Sequence, residues 1–200
     1  MTMRSWMAAA VVLVLLPACA NGQDADGAAS AQATEERPAD ASAAAGALDD
    51  AAIAHIAVTA NAIDADMGEL ALSRSSDARV REFASTMVRD HRGVNEQAVA
   101  LATRLGVTPS DNDVSRGLAA DGESAAARLR GLSGAGFDAA YMEREVTYHA
   151  AVLDALDRTL IPNATNAELR SLLETARGAV AAHLEHARAL RSELQQAGAR

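Results

Sequence analysis

Apolar residues recur along most of this chain at alternating steps of three and four, the spacing that holds one face of an α-helix against a partner. Four such runs are present. The first carries Ile53, Ile56, Ala60, Ile63, Met67 and Leu70, with Asp64 on its flank. The second, counted from Ala84, carries Met87, His91, Val94, Ala98, Leu101 and Leu105. The third holds Met142, Glu145, His149, Val152 and Leu156, and the fourth Leu169, Leu173, Ala176, Val180, His183, Ala187, Leu190 and Leu194. Breakers and caps bound them. They predict helices from about Asp49 to Arg74, from the Ser75-Ser76-Asp77 caps to Leu105 before Gly106 and Pro109, from near Phe137 to just before Pro162, and from about Asn166 to Gln196.

The first two helices are joined so tightly that they must form an antiparallel hairpin. Between the second and third lies a connection from Gly106 to Gly136, in which Leu118 to Leu132 predicts a short helix. A tight antiparallel turn needs far less chain, so this connection is expected to travel the height of the bundle. The expected fold is therefore all-α, a ferritin-like four-helix bundle with a long crossover between helices two and three, over residues 49–197. Helices two and three also echo each other, with Phe83, Val88, His91 and Val94 matching Tyr141, Val146, His149 and Val152 at a constant offset.

Composition supports this picture and narrows function. Half of the 200 residues are apolar but only 2% are aromatic. The excess of Ala favours closely packed helices, because sheets draw on β-branched and aromatic residues. A net charge of −9 and the lack of any Lys/Arg cluster leave no footprint for phosphate backbones, so nucleic acid is not an expected partner. Residues 1–20 look like an export signal: Arg4 precedes an apolar run from Met7 to Leu16 that is too short to span a bilayer comfortably. Leu16-Pro17-Ala18-Cys19 resembles a bacterial lipobox, which would lipidate Cys19, while Ala18-Cys19-Ala20 also fits simple cleavage. The lipoprotein is the favoured alternative, since the sole cysteine sits where that chemistry needs a thiol. Residues 21–48, rich in Ala, Gly, Asp, Ser and Gln, are expected to be a flexible tether. The expected location is the periplasm or the outer membrane, with membrane contact through the lipid anchor only.

The candidate chemistry lies on the seams. His91, His149 and His183 each occupy a core slot near the middle of a different helix, so a bundle should bring the three imidazoles to one level, with Glu145 one turn away. Imidazoles and a carboxylate converging in a core are ingredients of a transition-metal site, for an ion such as Zn or Cu. His91, His149, His183 and Glu145 are the candidate ligands, with Asp90 or Asp64 behind them fixing an imidazole tautomer. The competing expectation is that the histidines are neutral core residues, hydrogen-bonded across helices to Glu145, Asp90 or Tyr141, so that they set register without a ligand. His55 and His186 fall off the seams and are expected at the bundle edge. Met67, Met87 and Met142 are expected as core filling rather than copper ligands.

Several short elements resemble a bacterial exported family catalogued as domain of unknown function 4142, which has a ferritin-like four-helix fold. They are Gly68-Glu69-Leu70-Ala71-Leu72, Phe83-Ala84 followed by Met87-Val88-Arg89-Asp90-His91, Leu105-Gly106-Val107, Leu132-Ser133-Gly134 with Phe137-Asp138 and Tyr141, and His183-Leu184-Glu185-His186-Ala187. The resemblance covers roughly residues 49 to 195. This chain departs from the pattern in helix three, where a second Asp-His pair is replaced by Tyr148-His149, and in helix one, where the usual Glu appears as Asp64 or Asp66.

Di-iron centres of ferritin-like bundles need Glu-x-x-His pairs on inward faces, and this chain has none. Nucleophilic catalysis has no support either, since there is no Gly-x-Ser-x-Gly element, no phosphate-cradling loop and no cysteine other than Cys19. Two functions remain. The favoured one is a non-enzymatic, envelope-tethered helical bundle with a partner-binding, structural or stress-related role and an unknown protein partner. The alternative is a metal-binding bundle that stores, buffers or uses its ion.

Overall fold

The protein is described by a computed structural model over residues 48–198. The expected signal segment with Cys19, and the expected tether up to residue 47, lie outside the described residues. Among the described residues the helices are α1 (Asp50–Arg74), α2 (Ala78–Leu105), α3 (Asp113–Arg130), α4 (Gly134–Ala155), α5 (Ile161–Asn163) and α6 (Ala167–Gly198), with one turn of π-helix at Leu156–Leu160 between α4 and α5.

Local chemistry starts and stops these helices. Asp49 caps α1 by accepting from the Ala52 amide at 2.7 Å. Gly106, at φ +66°, ends α2 in the left-handed conformation that costs Gly least. Asn112 and Ser115 form a reciprocal capping box at the head of α3, the Asn112 side chain accepting from the Ser115 amide at 3.0 Å. The side chain of Asn166 accepts from the amides of Glu168 and Leu169 to open α6.

Direction follows from contacts at the two ends. The Asp50 carboxylate accepts from the amides of Thr165 and Asn166, at 2.8 and 2.9 Å, so the head of α1 lies beside the head of α6. Asn112 donates to the Ala52 carbonyl at that same end, and Arg74 reaches the Leu132 carbonyl at the other. Hence α1, α3 and α6 run one way and α2 and α4 the other. Packing links α1 with α2, α2 with α6, α6 with α4 and α4 with α1 in a ring. Within that ring α2 and α4 are diagonal, and the chain passes between them through α3. This is the one-crossover, all-α bundle expected from the sequence, but its crossover helix is 18 residues long and forms a fifth element against α1.

That fifth helix corrects the first apolar run. Ile63 and Leu70 are half-buried and face α3, together with Ala119, Gly122 and Ala126, while Asp64 is fully buried. Because α1 is covered by α2, α3 and α4 at once, its apolar face is wider than one seam. The face toward the bundle axis is the one that carries Asp64. The approach of α1 to α2 is close enough to require Gly68, where an added Cβ would sit 2.9 Å from the Ala84 carbonyl oxygen.

A second correction concerns Pro162, which was expected to lie beyond the third long helix. Helical structure instead continues through it, because the preceding turn widens so that the Ile161 amide bonds to the Leu156 carbonyl. The extra residue absorbs the missing amide and the ring of Pro162 without ending the helix.

The core has two apolar clusters. One packs Phe83, Met87, Phe137, Tyr141 and Met142, and the other packs Ile53, Ile56, Leu101, Leu156 and Leu173. Neither contains the buried polar groups Asp64, His91, Glu145, His149 and His183, which sit on the same helices at the positions between the two clusters.

Candidate metal centre

Each of the four long helices contributes one inward group to this layer: Asp64 from α1, His91 from α2, His149 from α4 and His183 from α6. The ring centroids of His91, His149 and His183 are 5.6, 5.2 and 5.5 Å apart, nearly an equilateral triangle. One nitrogen from each imidazole lies within 4.8 Å of one from each of the others. The structure therefore brings the three sequence-predicted histidines together. His55 is half-buried on α1, and His186 is exposed with its ring edge on Phe83, so both lie apart.

The outer hydrogen bonds of the rings fix their tautomers. His91 Nδ1 is 2.7 Å from Asn61 Oδ1, and the Asn61 amide nitrogen already donates to the Ala57 carbonyl, so Nδ1 carries the proton. His149 Nδ1 donates to the Glu145 carbonyl at 3.0 Å, again leaving a lone pair on Nε2. His183 donates through Nε2 to Asp90 at 3.0 Å, leaving its lone pair on Nδ1. Those three lone-pair nitrogens, His91 Nε2, His149 Nε2 and His183 Nδ1, are all buried without a hydrogen-bond partner. Nitrogen-15 NMR of the metal-free protein should show His91 and His149 protonated at Nδ1 and His183 at Nε2; any one in the opposite form would contradict this assignment.

Asp64 sits against the same atoms. Its Oδ2 is 2.8 Å from His91 Nε2 and 3.4 Å from His149 Nε2, and it too lacks a hydrogen-bond partner. Burial would raise this carboxyl, but the neighbouring His91 and the charge of Arg144 outweigh it and hold it well below the usual carboxylate range. An ionised oxygen thus lies against two imidazole nitrogens, an arrangement that asks for a positive charge, a proton or an ion, between them. A second proton on His91 would satisfy one pair of atoms. One metal ion among the rings would meet all three imidazole nitrogens.

Glu145, an expected ligand, forms a second buried group with Asp64 and His149, each offering one atom within 4.8 Å of the others. Its Oε2 lies 3.5 Å from Nδ1 of His149, the protonated side of that ring, and its Oε1 accepts from Arg144 at 2.6 Å. Burial, reinforced by the charge of Asp64, pushes its carboxyl well above the usual range. Asp90 is where an orienting acceptor belongs, on the outer nitrogen of His183 and paired with Arg89.

Three participants were not expected from the seams. The Arg144 side chain is 13% exposed, bridges Asp64 and Glu145, and lies 4.0 Å over the Tyr148 ring. Burial would lower its pKa, but the two carboxylates more than compensate, so it stays charged. Tyr148 donates to the Ala60 carbonyl at 2.8 Å, and Asn61 orients His91. The one signal for them was spacing: Asn61 and Asp64 are one turn apart on α1, as are Arg144 and Tyr148 on α4.

Burial pushes His149 down to about 4 and His183 downward as well, so both are neutral at pH 7. An unfolded histidine takes its proton near pH 6.5, so the unfolded state binds more protons between pH 6.5 and 4, and metal-free stability should fall on acidification through that window. His149 alone accounts for about 3 kcal/mol. The raised Glu145 acts with the opposite sign, since above its unfolded pKa only the folded state keeps that proton. Urea melts at pH 4 to 6.5 should therefore show a steeper acid loss in Glu145→Gln than in the native chain.

Four long helices that each give one inward group to a closed cluster of three imidazoles and a carboxylate define the protein as a helical bundle with a buried polar centre. The chain belongs to the family described as domain of unknown function (DUF4142), whose model matches residues 35–190. No curated protein and no solved structure matches it.

Proposed function

We propose that this protein is an exported, envelope-tethered bundle that binds one transition-metal ion through His91 Nε2, His149 Nε2 and His183 Nδ1, with Asp64 Oδ2 as the fourth ligand. The observation that carries the reading is the set of four buried, unpartnered donor atoms on four different helices, each held by a bond on its other side. Three imidazoles and a carboxylate oxygen suit Zn in a tetrahedral shell, and Cu or Fe after it. Such a shell has no place left for a reacting water, so it suits storage or buffering rather than hydrolysis. A role in the cell envelope is supported by the signal-like pattern of residues 1–20 and the lipobox-like Leu16-Pro17-Ala18-Cys19.

Elemental analysis of protein purified without added metal, followed by Zn titration after chelator treatment, tests this directly. One equivalent bound by the native chain and none by His149→Ala supports it. No stoichiometric metal and no saturable uptake would make the histidines a structural network.

A further inference from the structure

The three rings of the cluster differ in what holds their outer nitrogens. His149 is held by the Glu145 carbonyl of its own helix, and His91 by the amide oxygen of Asn61. Both holders are neutral. His183 is held by Asp90, a carboxylate on another helix whose side chain is 34% exposed. Asp64 and Glu145 also lie against the rings, but both are fully buried. Among the described residues, Asp90 is therefore the one carboxylate that touches a ring of the cluster and also meets water.

An ion bound for the cluster has to leave water somewhere. Taking a dication out of its hydration shell in apolar surroundings is heavily penalised, so the crossing is least unfavourable where a negative charge replaces the water as it is lost. Asp90 supplies that charge at the surface. Behind it His183 offers the next donor, since its Nδ1 is buried without a partner and its ring is 5.2 and 5.5 Å from those of His91 and His149. The outer side of the pair is also thinly covered. Gly93 lies one turn past Asp90 on α2, with open space where a side chain would stand, and Ala179 lies one turn before His183 on α6.

Asp90 is not bare, however. Its Oδ2 faces His183, while its Oδ1 accepts from Nε of Arg89 at 2.8 Å. The Arg89 side chain is 69% exposed, and an ion pair so open to solvent contributes little, so a dication can take its place. We infer that Asp90 is an outer capture site for a divalent transition-metal ion, which displaces Arg89 and passes by way of His183 to the buried rings. The inference rests on the proposed metal site and adds the route by which that site fills and empties. A carboxylate that only orients His183 would steady the bound ion, and its loss would speed release. One that captures the ion lowers the barrier in both directions, so its loss slows uptake.

The experiment mixes Zn with the metal-free full-length chain by stopped flow, and reads uptake, then release to excess chelator, with a Zn-sensitive dye. Asp90→Asn keeps an acceptor for His183 but removes the charge; uptake roughly tenfold slower is expected, with one equivalent still bound at equilibrium. Arg89→Gln uncovers the carboxylate and should take up Zn faster than the native chain. Glu174→Gln removes the same charge from an exposed position elsewhere on α6 and should leave both rates unchanged, which separates capture from attraction by the protein's overall charge. Should Asp90→Asn fail to fold, the gain in Arg89→Gln decides. A native chain that takes up no Zn would overturn the proposed function and the route with it. Where the native chain binds one equivalent, uptake at the native rate in Asp90→Asn, no gain in Arg89→Gln, or equal slowing in Glu174→Gln would overturn the capture site alone.

Discussion

Zinc at a hundredfold excess over its dissociation constant should stabilise the native chain against unfolding by about 2.7 kcal/mol. The reason is linkage. Only the folded state brings the imidazoles of α2, α4 and α6 together, with Asp64 of α1 against two of them, so an ion that binds there acts on the folded side of the equilibrium alone. His149→Ala should abolish the gain. In the absence of metal the same substitution should also destabilise, by roughly 1 to 3 kcal/mol, because it leaves a hole and strips a partner from the Glu145 carbonyl. His55→Ala should leave the gain intact, since His55 stands apart from the three rings. Affinity should fall as pH drops toward about 4, where folded His149 takes its proton, because protons and metal compete for the same nitrogens. Thermal melts with and without Zn at two pH values check all of this; an unchanged melting temperature in the native chain would defeat the proposed function.

How much of this was legible beforehand differs between the helices. On α2, α4 and α6 the inward face is a single seam, and counting by threes and fours placed His91, His149 and His183 correctly on it. On α1 the count went astray at Ile63, because a helix covered by three neighbours has apolar residues on more than one face, and nothing in a one-helix pattern says which face meets the axis. The cost was Asp64, assigned to a flank when it lies at the centre. Arg144 escaped for a related reason. A charged side chain beside a seam is ordinarily solvated, and only the assembled bundle shows that two carboxylates and an aromatic ring enclose this one. Glu145 was placed inward correctly, but which side of His149 it would meet depends on side-chain rotamers that seam spacing does not encode. The crossover was legible as a length, and its 18-residue helix only in part, because α3 is more polar than the others and buries just Ser115, Gly122, Ala126 and Leu129.

The pair formed by Asp64 and Arg144 should be the most sensitive point of the metal-free fold. Asp64 is fully buried, and its charge is balanced inside the bundle by one guanidinium, which also binds Glu145 and stacks on Tyr148. Removing one partner of such a buried pair strands the other charge, at a cost of about 3–5 kcal/mol. Arg144→Met should accordingly bring the metal-free protein near the limit of a small domain's stability. The loss should be smaller once Zn is bound, since the ion then supplies positive charge to Asp64. Asp64→Asn should behave otherwise: it strands Arg144 and removes the fourth ligand, so metal should rescue it less. Replacing both together, Asp64→Asn with Arg144→Met, should cost less than the sum of the single changes, because neither charge is left alone. Denaturant melts of the four chains, with and without Zn, measure that coupling. Additive losses would show that the two side chains do not act as a pair, and equal Zn rescue of both single variants would remove Asp64 from the ligand set.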